Sequence, residues 1–270
     1  MRPLLSTLIL LTALPALAQP DTAHWSMQGP LDAFTTDDLG NLYTVKGNEL
    51  DLYDRTGAHR AHNSLLTFGS ISRIDGFSSM KPMIFSRTQG QLAVLDNTLS
   101  VQGSPINLPA AGFSAISAAC MGVQNRYWLY DEREAALVRV DAQLRPVARS
   151  GRLDQVLGVL PHPTWMEETD ERLYLVDPDL GVFVFDLFGT PLRTLPIKGA
   201  RRVQVRSGAV WYVAQGALMR YDLLDLRTEH VPWPAPSTGT EVVDARIAHG
   251  RLYRQCKDRI LVDALPVEIR

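Results

Sequence analysis

Six side chains in the second half of the chain carry the chemistry of a recognition surface. His162 and Trp165 lie in one proline-containing stretch (residues 150–165), His230 and Trp233 in another (230–240), with Arg201 and Arg202 between them. Aromatic rings on stiff loops lose little conformational entropy on contact, and arginine adds a fork of donors, so these residue types concentrate where proteins bind partners. The two tryptophans would serve equally well as caps on the core beneath their loops, and the residues alone leave both readings open. Acid or metal chemistry has fewer candidates. Asp75, Glu167, Glu168 and Asp244 could feed a divalent ion if a fold gathered them on one axis. The run Glu167-Glu168-Thr169-Asp170-Glu171 reads most simply as a solvated hairpin. Asp177-Pro178-Asp179 could offer two oxygens to calcium but reads equally as a stiffened turn. His59 and His62, three apart, would suit a metal on a helix, whereas their surroundings read as outer strand or loop. Nucleophile elbows, phosphate loops and dinucleotide fingerprints are missing, and Gly76-Phe77-Ser78-Ser79-Met80 lacks the second glycine of an esterase turn. These residues predict no metal, no cofactor and no catalytic group.

The elements that must position these side chains come from a repeat. Its unit is an apolar strand with an aromatic, a short polar turn, a second apolar strand and a closing aspartate. The first copy runs from Gly40-Asn41-Leu42-Tyr43-Thr44-Val45 to Asp54, and the closing residues are Asp54, Asp96, Asp141, Asp186, Asp222 and Asp263. They lie 42, 45, 45, 36 and 41 residues apart, the spacing of four-stranded propeller blades. The residue before each aspartate is apolar (Tyr53, Leu95, Val140, Phe185, Tyr221, Val262), as a strand packed between neighbouring blades requires. Asp54-Arg55-Thr56-Gly57 and Asp186-Leu187-Phe188-Gly189 match type I turns in which the carboxylate accepts backbone N–H groups, so all six aspartates are expected in turns. The fold class predicted is all-β, a six-bladed β-propeller of four-stranded antiparallel blades. Its innermost strands would fall near residues 33–36, 71–75, 115–119, 164–168, 202–205 and 243–247. Two domains or a sandwich would show no fixed period over five intervals.

Residues 1–18 read as a signal peptide. Arg2 gives a positive start, residues 4–17 are mostly apolar, and Ala16-Leu17-Ala18 is a small-x-small cleavage site, so the mature chain would begin at Gln19 and residues 19–270 form the single propeller domain. The run is shorter than the roughly 20 residues that span a bilayer, and no membrane span is expected in the mature chain. A periplasmic or secreted location follows. The net charge of −2 supplies no field for nucleic acid. Two cysteines in an oxidising compartment would ordinarily pair. The repeat, however, puts Cys120 and Cys256 on opposite blades, beyond the roughly 7 Å a disulfide tolerates between Cα atoms, and they are expected unbonded.

Three stretches also resemble secreted propeller proteins of Bacteroidota: Ser70-Ile71-Ser72-Arg73-Ile74-Asp75, Met80-Lys81-Pro82-Met83-Ile84-Phe85, and Leu92 through Ser100 with its Leu95-Asp96-Asn97-Thr98-Leu99. Tyr127-Trp128-Leu129-Tyr130 continues the likeness, while Ser79-Met80-Lys81-Pro82 departs from the usual order, so no role passes to Lys81. The resemblance implies export and a propeller without supplying a substrate. Together these readings predict a monomeric binding module or scaffold for a protein or small ligand of the cell envelope. The alternative is a propeller hydrolase or lactonase with a divalent metal on its axis.

Overall fold

The computed structural model describes residues 23–78, 80–234 and 241–265. Residues 1–18, read above as a signal peptide, the cleavage site expected before Gln19, and residues 235–240 of the second proline-containing loop lie outside the described residues.

The chain forms six four-stranded antiparallel sheets arranged as the blades of a propeller. Five are built from consecutive strands, over residues 33–64, 73–107, 116–149, 165–195 and 203–231. Middle strands such as Ala136–Val140 and Gly181–Phe185 are buried on both faces because neighbouring blades cover them. Outer strands such as His59–Ser64 and Pro191–Leu195 meet solvent and carry mostly polar or half-exposed residues. Each seam between blades has its own apolar core. Tyr43, Leu52 and Ile84 join the first two blades, Trp128, Leu173 and Phe185 the third and fourth, and Phe34, Leu42 and Tyr253 the sixth and first.

The sixth sheet closes the ring. Its inner three strands are Val242–Ala248, Arg251–Cys256 and Arg259–Ala264, and its outermost strand is Ala23–Gln28, with Trp25 opposite Val262 and Gln28 opposite Arg259. Both ends of the described chain are thus tied into one sheet. The ring of Trp25 lies over the first blade's outer turn, where a Cβ on Gly57 would collide with it.

This closure corrects the expectation for one closing aspartate. The other five sit in outer turns as predicted. Asp54 accepts from the Thr56 and Ala58 amides at 2.8 and 3.1 Å, and Asp96, Asp141, Asp186 and Asp222 do the same in their own turns. Among the described residues no outer hairpin follows Asp263, and Ala23–Gln28 supplies the next strand instead. Its carboxylate is buried and receives Arg254 Nε at 2.6 Å. Cys120, on the third blade, and Cys256, on the sixth, are buried and unbonded. Burial pushes both thiols above their ordinary value. Among the described residues no helix is long and apolar enough to cross a membrane.

Candidate functional site

The innermost strands Ala33–Thr36, Arg73–Asp75, Ile116–Gly122, Trp165–Thr169, Val203–Arg206 and Val242–Ala248 surround the axis, close to the positions read from the repeat. All run the same way, so their starts surround one mouth and their ends the other. At the first mouth lie cavities of about 330 and 240 Å³, bordered by Ala33, Ser72, Thr164, Arg201 and Asp244. At the second is a cup of about 340 Å³ bordered by Thr36, Asp75, Glu167, Gln204 and Arg246.

Trp165 lines all three cavities and stands between them. The Arg73 guanidinium is 3.5 Å from the centre of its ring and that of Arg202 is 4.6 Å away, an arginine–tryptophan–arginine stack that plugs the axis. Each arginine is also held by a carboxylate: Arg73 Nη2 donates to Asp75 Oδ2 at 2.9 Å, and Arg202 Nη1 to Asp244 Oδ2 at 2.8 Å. Arg202 also donates to the Phe34 carbonyl, and Asp75 accepts the amides of Phe77 and Met121. Gln204 locks the fifth blade to the sixth through both the amide and the carbonyl of Ile247.

The acidic run is not a solvated hairpin, which corrects the sequence reading. Glu167 and Glu168 are consecutive on a strand, so their side chains leave it on opposite faces. Glu168 turns into the seam between the third and fourth blades and is 3% exposed. It accepts from Trp128 Nε1 at 2.6 Å, the Val123 amide at 2.8 Å and Arg139 Nη2 at 3.1 Å. Only Asp170 and Glu171 form the turn. Glu167 faces the cup, and its Oε2 is buried without a hydrogen-bond partner. Desolvation raises its carboxyl above the usual range, although Arg246, Arg73 and Arg202 pull the other way. Asp244 is raised for the same reason, against the pull of Arg202. Arg73 Nε, Trp165 Nε1 and Arg202 Nη2 are further buried atoms without partners around the axis.

Of the six residues singled out for binding, the structure brings Trp165 and Arg202 together on the axis and sets Arg201 at the rim of the first mouth, where its carbonyl accepts Thr164 Oγ1 at 2.7 Å. His162 is exposed on the connection just before Trp165, its amide bound to Asp177 Oδ2. His230 is exposed on the fifth blade's outermost strand. Trp233 tucks between the fifth and sixth blades, donating to the Gly216 carbonyl at 3.0 Å with Arg254 5.8 Å from its ring centre, the arrangement of a packing residue. Sequence reasoning passed over Arg73 and Arg246. Their signal was a charge on strands expected to line the axis.

Among the described residues no group of three or more His, Cys, Asp or Glu side chains is arranged to hold a metal ion. Asp177 caps its own turn through the Asp179 and Leu180 amides. His59 and His62 do share a face, because a bulge in their strand shifts the register between them. Both hydrogen-bond Asp51 Oδ1, at 2.8 and 2.9 Å.

No protein-family model and no curated protein sequence matches the chain. Solved structures do. Virginiamycin B lyase from Staphylococcus aureus, in a histidine-substituted inactive form, superposes with a TM-score of 0.62 at 11% identity over 93% of this chain and 98% of its own. The Pan2 WD40 domain of Neurospora crassa gives 0.56 at 10% identity over 90% and 91%. PorZ, a surface component of the type-IX secretion system of Porphyromonas gingivalis, gives 0.51 at 15% identity over 84% of this chain and 31% of PorZ. At such identities the likeness is one of fold, and that fold is the β-propeller.

Proposed function

We propose that this protein is an exported binding module of the cell envelope, working as a monomer without metal or cofactor and taking a partner or ligand at an axial mouth. The observation that carries the reading is the axial stack: Arg73, Trp165 and Arg202 block the channel, and Asp75 and Asp244 are already paired with the arginines. A metal-dependent hydrolase or lactonase needs several carboxylates free to turn onto one ion. Of the four candidate acids here, Asp75 and Asp244 hold arginine and Glu168 points into a seam, which leaves Glu167. The leader-like residues 1–18 support export, and the fold is shared with a bacterial surface component, PorZ.

Two measurements on the exported protein test this. Its intact mass is expected to match a chain starting at Gln19, and material recovered with Met1 would refute export by cleavage at Ala18. Its divalent metal content is expected to be far below one ion per chain. A stoichiometric ion retained through dialysis against chelator would overturn the binding reading in favour of the enzyme.

A further inference from the structure

The cup at the second mouth is lined by fixed charges of opposite sign on different blades, and some of their hydrogen bonds are unmade. Glu167 on the fourth blade has a buried oxygen with no partner. Arg73 on the second blade is 6% exposed and has an unpartnered Nε. Arg246 on the sixth blade holds Thr36 Oγ1 through its Nε, which leaves its outer nitrogens to the cup. Of the other acids there, Asp38 is exposed at the rim and three are bonded within the protein. Asp37 accepts the Leu39 and Asn41 amides and the Tyr43 hydroxyl, and Asp75 and Glu168 are bonded as described above.

The stack also says what the cup does not offer. Two guanidinium groups, of Arg73 at 3.5 Å and of Arg202 at 4.6 Å from the ring centre, already occupy the π-system of Trp165, so a ligand that depends on stacking, such as a sugar ring, a nucleobase or a quaternary ammonium, would have to compete with them. What remains is an acceptor facing donors across a space of about 340 Å³, near the lower end for small-molecule sites. A lone anion would leave Glu167 unpartnered, and a lone cation would leave the arginine side open. We propose that the cup binds a small zwitterion of the amino-acid or dipeptide class, its ammonium on Glu167 and its carboxylate on the Arg246 and Arg73 side. This assignment rests on the binding-module reading. Charge-assisted hydrogen bonds in a partly dehydrated cup are the strong kind, and they would go to groups that the protein's own atoms leave unpaired.

The test is a calorimetric titration of the mature protein at neutral pH with L-alanyl-L-alanine as the probe. Acetate, ethylamine and N-acetylalanine methylamide serve as the anionic, cationic and neutral comparisons. The dipeptide is expected to saturate one site per chain, with each comparison about tenfold weaker or more. Glu167→Gln keeps the shape and removes a desolvated charge, so it should fold, and it is expected to weaken the dipeptide to the level of acetate. Arg246→Gln is expected to weaken it to the level of ethylamine. A metal-free protein that shows no saturable dipeptide binding, or a Glu167→Gln variant that binds as tightly as wild type, overturns this assignment alone. Hydrolysis of the dipeptide, or binding only with a stoichiometric divalent ion, overturns the binding-module reading from which it starts.

Discussion

The aspartates of the outer turns and the carboxylates around the axis are one chemical group in two opposite situations. Asp54, Asp96, Asp141 and Asp222 each collect two backbone N–H groups and at least one further side-chain donor, and these bonds hold their carboxyls below the usual range. Glu167 and Asp244 face arginine, yet their carboxyls are pushed up, because desolvation outweighs the attraction. The difference teaches that a short loop in water stabilises an anion better here than arginines do in a closed channel. Asp263 is the intermediate case, as deeply buried as any of the described residues but bonded to an arginine at short range.

Asp263→Ala tests that intermediate case and should have the largest effect. It removes the buried carboxylate paired with Arg254, whose side chain is 1% exposed, and breaking one partner of a buried pair costs roughly 3–5 kcal/mol. Asp186→Ala in an outer turn should lower the melting temperature by only a few degrees. Urea denaturation of the two variants compares them directly, and equal losses would erase the distinction. Trp165→Ala comes next. It removes the ring against which two guanidinium groups sit and which touches the core between the fourth and fifth blades, for a loss of about 2–3 kcal/mol, below the range for fully buried aromatics because Trp165 is only partly buried. Trp233→Ala should also cost stability, since Trp233 packs against Trp211 and Val213. If either tryptophan can be removed without moving the melting temperature, it is a free recognition residue.

The outer turns were legible because they are local: an aspartate, the residues after it and a period near 42 carry their own geometry. The inner strands followed from the same period. Ring closure was not legible. Ala23–Gln28 pairs with the far end of the chain, and a strand whose partner is so distant leaves no turn beside it in the sequence. The site was half legible for a related reason. Trp165 and Arg202 stood out by residue type, but their meeting with Arg73 depends on three different blades. The acid run was misread because alternation along a strand, which sends Glu167 to the cup and Glu168 to the seam, applies only once the run is taken as a strand.

The pH dependence sharpens the comparison through opposite signs. A group whose folded pKa is depressed contributes stability above its unfolded pKa and loses it as pH falls, so the turn aspartates weaken the protein as it is acidified. Glu167 has the reverse sign: its folded pKa lies above the unfolded 4.5, so it lowers stability at neutral pH, and protonation relieves this as pH falls. Arg73 and Asp75 on the second blade, Arg202 on the fifth and Arg246 on the sixth act on it from the facing elements. Glu167→Gln is therefore expected to melt above wild type at pH 7, with the gap closing as pH is lowered towards 4.5. Thermal melts across that range check it, and a variant less stable than wild type at pH 7 would show that the arginines win after all.

The smallest effect belongs to the outer turns alone. Each closes on a residue in a left-handed conformation: at the fourth position of the turn, Gly57 at φ 87°, Leu99 at 65°, Leu144 at 61° and Gly189 at 84°, and one residue later, Leu226 at 57°. The conformation comes from the turn, since glycine serves in two copies and leucine in three. For leucine it costs about 1–2 kcal/mol, which the native structure must offset elsewhere. Leu99 does so by packing, fully buried, in the seam between the first and second blades, and Leu99→Gly should lose about 2 kcal/mol or more. Leu226 is 57% exposed and belongs to no buried cluster. Its replacement by glycine removes the conformational cost and gives up little burial, while the extra freedom of glycine in the unfolded chain takes back part of the gain. A net rise of about 0.5 kcal/mol in urea denaturation is the expected result. A loss at Leu226 as large as at Leu99 would mean that the side chain, rather than the turn, determines the backbone there.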